Sequence, residues 1–122
     1  LRKSHSRPWF RTIINKIKNN KNIYVHNANN YFNNVLDTQE IVRLILKIIK
    51  MKKMIRGTFN LSASQPKKLK EIIHIIKSKY RSKSKIINLK NKQRSFVISI
   101  RKIKEKLNFD PTSTEKIILR NI

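Results

Sequence analysis

No cysteine occurs among the 122 residues, which removes disulfides, thiolate metal sites and thiol nucleophiles together and is compatible with a reducing compartment. Gly57 is the only glycine, so no glycine-rich loop can bring successive backbone N–H groups against a phosphate. Acidic side chains are scarce: 6 Asp and Glu stand against 30 Lys and Arg, for a net charge of +24. Long apolar runs are missing too. The longest block, Ile41 to Ile49, is broken by Arg43 and Lys47 and falls well short of the roughly 20 residues a membrane-spanning helix needs. The chain opens at Leu1 with no charged stretch leading into an apolar signal core. A cytoplasmic location and no membrane span are therefore expected.

The apolar fraction of 39% is modest, but it is gathered into short blocks of Ile, Leu, Val and Phe, which argues for a folded core rather than disorder. The length is that of one domain. An excess of positive charge this large attracts polyanions by itself. Lys, Asn and Ile are enriched together, however, as happens when coding DNA is rich in A and T, and solvated lysine faces account for the charge without a dedicated nucleic-acid surface.

Phe10, Ile13, Ile14 and Ile17 share a helical face, with Pro8 suited to the first turn and Asn19, Asn20 and Asn22 as terminators. Ile23 to His26 reads as a strand, followed by an Asn-rich loop through Asn30. Val35 and Leu36 read as a brief buried strand, leading into Asp37 and Glu40 at capping-box spacing. The helix that follows is apolar over most of its circumference, leaving Arg43, Lys47 and Lys50 as a polar stripe, so a mostly buried helix is expected. Gly57 opens a strand-like stretch over Thr58, Phe59, Asn60 and Leu61. Pro66 announces an amphipathic helix with Leu69, Ile72, Ile73 and Ile76 on one face. Ile86 to Leu89 and Phe96 to Ile98 read as strands or extended segments, and a helix is expected around Ile100, Ile103 and Leu107. A turn at Asn108 to Pro111 and a capping box of Thr112 and Glu115 start a last short helix. No internal repeat and no clear domain boundary are visible.

Strands this short and this few cannot make a doubly wound sheet alone; they read as outlying parts of one. Three stretches narrow the reading. "FNNVLDTQEIVRLIL", Phe32 to Leu46, "GTFNLSASQPKKLKEII", Gly57 to Ile73, and "FVISIRKIKEKLNFDPTSTEKII", Phe96 to Ile118, resemble, in this order, segments from the C-terminal part of the NAD-dependent epimerase/dehydratases of the extended short-chain dehydrogenase family. In the first, a strand ending in Val-Asp-Asp runs into a buried helix. In the second, an Asn-x-small-small strand end precedes a Pro and a Leu-Lys-Glu helix. In the third, a short helix ends in Leu-Gly-Phe-x-Pro before a Thr- or Ser-capped helix. "SHSRPWF", Ser4 to Phe10, resembles the loop after the family's Arg-Leu-Pro-Gly strand, so the sequence is expected to begin just after that strand.

The resemblance implies an α/β fold class: short strands and helices forming the C-terminal substrate-binding part of a Rossmann-type enzyme, residues 1–122 as a single region, without the main nucleotide-binding sheet. It implies NAD(P) as cofactor of the complete enzyme, a nucleotide-diphosphate sugar as ligand, an upstream cofactor-binding half as partner, and a homodimer of the complete enzyme as an allowed assembly. The departures are equally clear. The Gly-x-x-Gly-x-x-Gly cofactor turn is absent, and neither Tyr24, Tyr31 nor Tyr80 has a lysine four residues later, so the family's Tyr-x-x-x-Lys pair is absent as well. Val-Asp-Asp has drifted to Thr38, Gln39 and Glu40, and Leu-Gly-Phe to Leu107, Asn108 and Phe109, where Asn can take the left-handed turn in place of Gly. No catalytic group and no bound cofactor are expected in this chain itself.

By the same resemblance, Arg94 is the first candidate for the substrate, because it precedes the Phe96 stretch where such enzymes often carry a ligand arginine and its guanidinium suits two diphosphate oxygens. A solvated arginine is the plain alternative. Asn33 and Asn34 lie where many relatives place a substrate-binding arginine, with loop capping as the alternative. His5 and Arg7 fall in a loop that would border the sugar, or are simply surface. His26 and His74 lack partners at ligand spacing, and Asp37, Glu40, Thr112 and Glu115 read as helix caps. Two other functions stay open: a small ribosomal-type RNA-binding protein using lysines on phosphates, although its aromatics fall at core-like positions, and peripheral membrane attachment through the cationic helix at Leu69 to Lys77.

Overall fold

A computed structural model describes residues 8–90 and 95–122. The candidates His5, Arg7 and Arg94 lie outside the described residues. The chain divides into two compact units, the first from the described parts of Leu1–Asn30 and Lys68–Arg94, the second from Tyr31–Lys67 and Ser95–Ile122.

In the first unit, α1 (Pro8–Lys18) is followed by β1 (Ile23–His26). The turn between them uses Asn20 at φ 52, a left-handed conformation Asn tolerates better than most residues. β1 pairs in parallel with the later strand Ile86–Leu89, in the register Ile23 to Ile86. The helix Leu69–Lys79 crosses between them in sequence, and Glu71 accepts from the Lys68 backbone N–H at 2.8 Å at its start. Ile13, Ile17, Ile23, Val25, Ile72, Ile73 and Ile76 are all buried, so the alternating pattern of β1 and the apolar face of the Leu69–Lys79 helix meet as the sequence periodicity requires. That face is spent on the core, which removes the surface on which membrane attachment by this helix depended.

The second unit holds β2 (Tyr31–Phe32) and α2 (Thr38–Lys50) and ends its first stretch at Lys67, in β3 (Lys67–Lys68), which pairs with β2. The first unit's α3 (Leu69–Lys79) and β4 (Ile86–Leu89) intervene before α4 (Arg101–Leu107) and α5 (Thr114–Arg120). Ile103, Leu107 and Phe109 form the core here, with Leu44, Met51, Ile55, Phe59, Leu61 and Ile100 packed against them. Asn108 ends α4 at φ 46, the left-handed cap expected of a residue standing in for glycine.

Three stretches expected as strands, or as strand-like or extended segments, form no ladder. Val35–Leu36 turns sharply, with the Val35 N–H donating to Asn33 O at 2.7 Å, and Leu36 is exposed. Thr58–Leu61 and Phe96–Ile98 take no regular secondary structure. The Asn33 side chain takes the place of a ladder: Nδ2 donates to Ala63 O (3.1 Å) and Ile98 O (2.9 Å), while Oδ1 accepts from Ile98 N (2.9 Å). One amide thus supplies the partners that strand pairing would otherwise supply.

The larger correction concerns α2. Its only buried residue is Glu40, whereas Ile41, Val42, Ile45, Leu46, Ile48 and Ile49 are between 41% and 72% exposed. The helix meets its own unit through the side bearing Glu40, Leu44 and Met51, where Arg43 also lies against the Phe109 ring at 4.9 Å. Of the stripe expected to face water, Arg43 is drawn into this contact, while Lys50 stays exposed.

Candidate functional site

Two arrangements in the second unit carry polar chemistry. The first surrounds the start of α2. Asp37 is its N-cap, accepting from the Glu40 N–H at 3.1 Å. Glu40, in the first turn where a negative charge opposes the helix dipole favourably, does not return the bond as a capping box would. Its carboxylate accepts from the Thr112 hydroxyl (2.6 Å) and backbone N–H (2.9 Å), from Arg43 (2.8 Å) and from Arg120 (3.2 Å). Arg43 also donates to Asp110 O at 3.0 Å, and Arg120 to Asp37 at 2.7 Å. α2, the turn before α5 and the end of α5 are locked together by this cluster. With Thr112 so engaged, the cap of α5 passes to Ser113, which accepts from the Lys116 N–H, one residue later than the sequence spacing suggests. Glu115 pairs with Lys67 at 2.9 Å.

Burial pushes the Glu40 carboxyl up, but the bonds from Thr112, Arg43 and Arg120 outweigh it and hold the group below the usual carboxylate range. Asp37 behaves likewise: its partial burial is outweighed by bonds from Arg120, Asn121 and the Glu40 N–H. Arg120 is raised chiefly by its bond to Asp37. A carboxylate held ionised with its lone pairs occupied is a poor general acid or base, which needs a value near the working pH. The cluster is a structural lock.

The second arrangement is an open cleft of about 570 Å³. It is lined by Ala63 to Pro66, Val97 to Arg101, Lys104, Glu105, Asp110 and Asn33. Part of the lining is fixed by hydrogen bonds: Ser64 N donates to Thr112 O (3.0 Å), and Ser64 O accepts from both the N–H (2.8 Å) and the hydroxyl (3.0 Å) of Thr114. Gln65 sits at φ 50. Lys104 is paired with Asp110 at 2.9 Å, whereas Arg101 lies 3.9 Å from Glu105 with its side chain 83% exposed. The cleft therefore offers an amide, hydroxyls, one loosely held guanidinium and nearly balanced charge. That suits a hydroxyl-bearing ligand with an anionic group at its edge. Among the described residues it contains no nucleophile–base pair.

Of the sequence candidates, Asn33 lines this cleft, 1% exposed, with its amide directed at backbone. Asn34 is half-buried and is not part of the lining. Gln65, Ser99, Arg101 and Lys104 were not singled out from sequence. The available signal was the polar pair around Pro66 and the Ser99–Arg101 step into a helix, both inside the recognised segments. Among the described residues no group of three His, Asp or Glu gathers as metal ligands, and no helix is long and apolar enough to cross a membrane.

Helices alternating with short strands, including the parallel β1–β4 pair joined through α3, place the chain among mixed α/β folds with a Rossmann-like neighbour. That neighbour is the solved structure of RMD from Pseudomonas aeruginosa complexed with NADPH, to which the chain is similar with a TM-score of 0.64 at 14% identity. The match covers 90% of this chain and 38% of that one. No protein-family model matches the sequence, and no curated protein does.

Proposed function

We propose that this chain is the substrate-side portion of an NAD(P)-dependent sugar epimerase/dehydratase, holding a nucleotide-diphosphate sugar while cofactor and acid–base groups come from another part of the enzyme. The observation that carries this is the fold likeness over 90% of the chain to a structure complexed with NADPH. It joins the three family-like segments, which run in family order along the same chain. The cleft fits the division of labour. In this reading Gln65 and Ser99, both in the cleft lining, hydrogen-bond sugar hydroxyls, and Arg101 turns towards a diphosphate.

The cofactor itself does not fit these residues. Gly57 is the only glycine, so the successive glycines that let backbone N–H groups close on a pyrophosphate are missing from this sequence. Hydride transfer is accordingly assigned to the rest of the enzyme. The RNA-binding alternative gains nothing from the fold likeness, although Tyr24, Tyr31 and Phe96 are exposed rather than in the core-like positions expected of them.

The test is a nitrogen-15 NMR titration of the 122-residue chain with UDP-glucose and GDP-mannose. Shifts are expected at Ser64, Gln65, Ser99 and Arg101, weakened roughly tenfold by Arg101→Ala and absent with NADPH alone. Silence at the cleft with both sugar nucleotides sinks the reading, as does tight RNA binding with a steep salt slope.

A further inference from the structure

In the first unit, the loop after α3 is sewn to the turn after α1. The Ser82 hydroxyl donates to Ile17 O (2.6 Å), the Lys83 N–H to Asn20 Oδ1 (2.8 Å) and the Ser84 hydroxyl to Lys16 O (3.4 Å). Lys16, Lys18, Lys21, Arg81, Lys83 and Lys85 are thereby gathered at one end of the unit. Acidic residues are kept away from it. Residues 8–30 and 68–90 contain 12 Lys and Arg and a single acidic residue, Glu71, whereas the other 5 acids fall in residues 31–67 and 95–122, where Arg43, Lys67, Lys104 and Arg120 pair with them. Glu71 stands at the far end of α3, against the Lys68 N–H. Lys16 and Lys18 complement the C-terminus of α1, but Lys21, Arg81, Lys83 and Lys85 lie beyond both helices and have no such role.

β4 leads out of this cationic end, and it is an edge strand. Its bonds to β1 are made through Lys85, Ile87 and Leu89, in the phase set by Ile23 N–H to Lys85 O (2.8 Å) and Asn27 N–H to Leu89 O (3.4 Å). The N–H and C=O groups of Ile86 and Asn88 therefore point to the other side, where no described strand pairs with them. We propose that this edge takes up an extended, acidic segment of another polypeptide as a third strand beside β4, its backbone bonded to Ile86 and Asn88 and its carboxylates set against Arg81, Lys83, Lys85 and Lys90. The proposal stands independently of the function argued above.

Three observations select this occupant. Lysines beside an open edge discourage pairing with a second copy, which brings the same charges, but they attract an acidic strand. Nucleic acid is disfavoured because Lys18 lies over the Tyr80 ring at 4.9 Å and Lys16 over the Tyr24 ring at 5.7 Å, so the chain's own ammonium groups occupy aromatic faces on which bases would stack. A bilayer surface needs apolar side chains to enter it, and of the exposed large apolar residues only Tyr24 and Leu89 belong to this unit. A strand added at an edge, by contrast, draws its affinity from backbone bonds, which Ile86 and Asn88 offer.

The experiment titrates the nitrogen-15-labelled full chain with a capped peptide of alternating Glu and Thr, and follows amide hydrogen exchange in the complex. The Ile86 and Asn88 amides are expected to gain protection that they lack in the free chain. The same peptide N-methylated throughout keeps its charge but cannot pair as a strand, and is expected to bind roughly tenfold more weakly or not at all. A peptide of alternating Lys and Thr should not bind, and Lys83→Glu combined with Lys85→Glu should reverse the preference between the two charges. Should that double variant fail to fold, the N-methylated peptide decides the matter on the unaltered chain. Equal binding of the N-methylated peptide, binding that leaves Ile86 and Asn88 unprotected, or no binding of the Glu–Thr peptide overturns the proposal. So does tighter binding of poly-uridylate or phosphatidylserine vesicles at residues 81–90 than of the peptide.

Discussion

Thr112 holds Glu40 twice, through its hydroxyl at 2.6 Å and its backbone N–H at 2.9 Å, across 72 residues of chain. Both contacts are to a buried charge. Thr112→Val keeps the shape and the backbone bond but removes one donor to an ionised acceptor, a loss of about 1.5–3 kcal/mol. The measurement is the urea midpoint, with the slope expected to stay constant. A change below a few tenths of a kcal/mol would mean that Arg43 and Arg120 suffice to hold the carboxylate.

The same cluster predicts a pH dependence with a definite sign. Glu40 and Asp37 have folded values below their ordinary 4.5 and 3.8. The unfolded chain therefore binds protons first as pH falls, and the stabilisation, complete above about pH 5.5, declines through the acid range. Melting temperature should fall between pH 5.5 and 3, and Glu40→Gln should flatten the profile while lowering its neutral plateau. A Gln variant whose profile is as steep as the parent's would assign the acid sensitivity to other groups.

Asn33 lines the cleft and stitches three stretches through Ala63 O, Ile98 O and Ile98 N. Asn33→Leu leaves those buried groups unsatisfied, a loss of about 1–3 kcal/mol for each that finds no water. Asn33→Asp keeps the acceptor but turns the two donors into acceptors facing carbonyls, and is expected to be as harmful. Hydrogen exchange at the Ile98 amide reads the effect directly, through protection lost while Ile103 retains its own.

Asn33 also shows where the sequence stops being legible. The helices around Ile13, Ile72, Ile103 and Ile117 follow from apolar spacing because each face is satisfied within its own unit. Stretches stitched by a side-chain amide look, in sequence, just like strands with ladders, since both need alternating apolar residues and no helix formers. The cleft was harder still: Gln65 and Arg101 are 36 positions apart only by chain numbering, and nothing local links them. α2 failed for another reason. Its aliphatic composition reads as burial, but composition does not say which side of a helix packs, and the side held here bears Glu40, Leu44 and Met51.

At Asn108 the backbone takes φ 46, so Asn108→Gly should be neutral or stabilising in the folded state, while Asn108→Val forces a β-branched residue into the left-handed region at about 1–2 kcal/mol. Thermal melts of the two variants should bracket the parent. If Val matched Gly, the α4 end would have to relax to another cap.

The contrast between Ile49 and Ile103 is the sharpest check on the reading of α2. Both lie on helices and both look like core residues in sequence, yet Ile49 is 72% exposed and Ile103 0%. Truncating Ile103 to Ala removes packing against Leu107 and Phe109 at about 2–5 kcal/mol. Ile49→Ser on the isolated chain should stay within roughly 0.5 kcal/mol, as surface changes do. Urea unfolding of the two variants side by side decides the matter. An Ile49→Ser cost approaching that of Ile103→Ala would show that the aliphatic side of α2 is packed within the chain in solution.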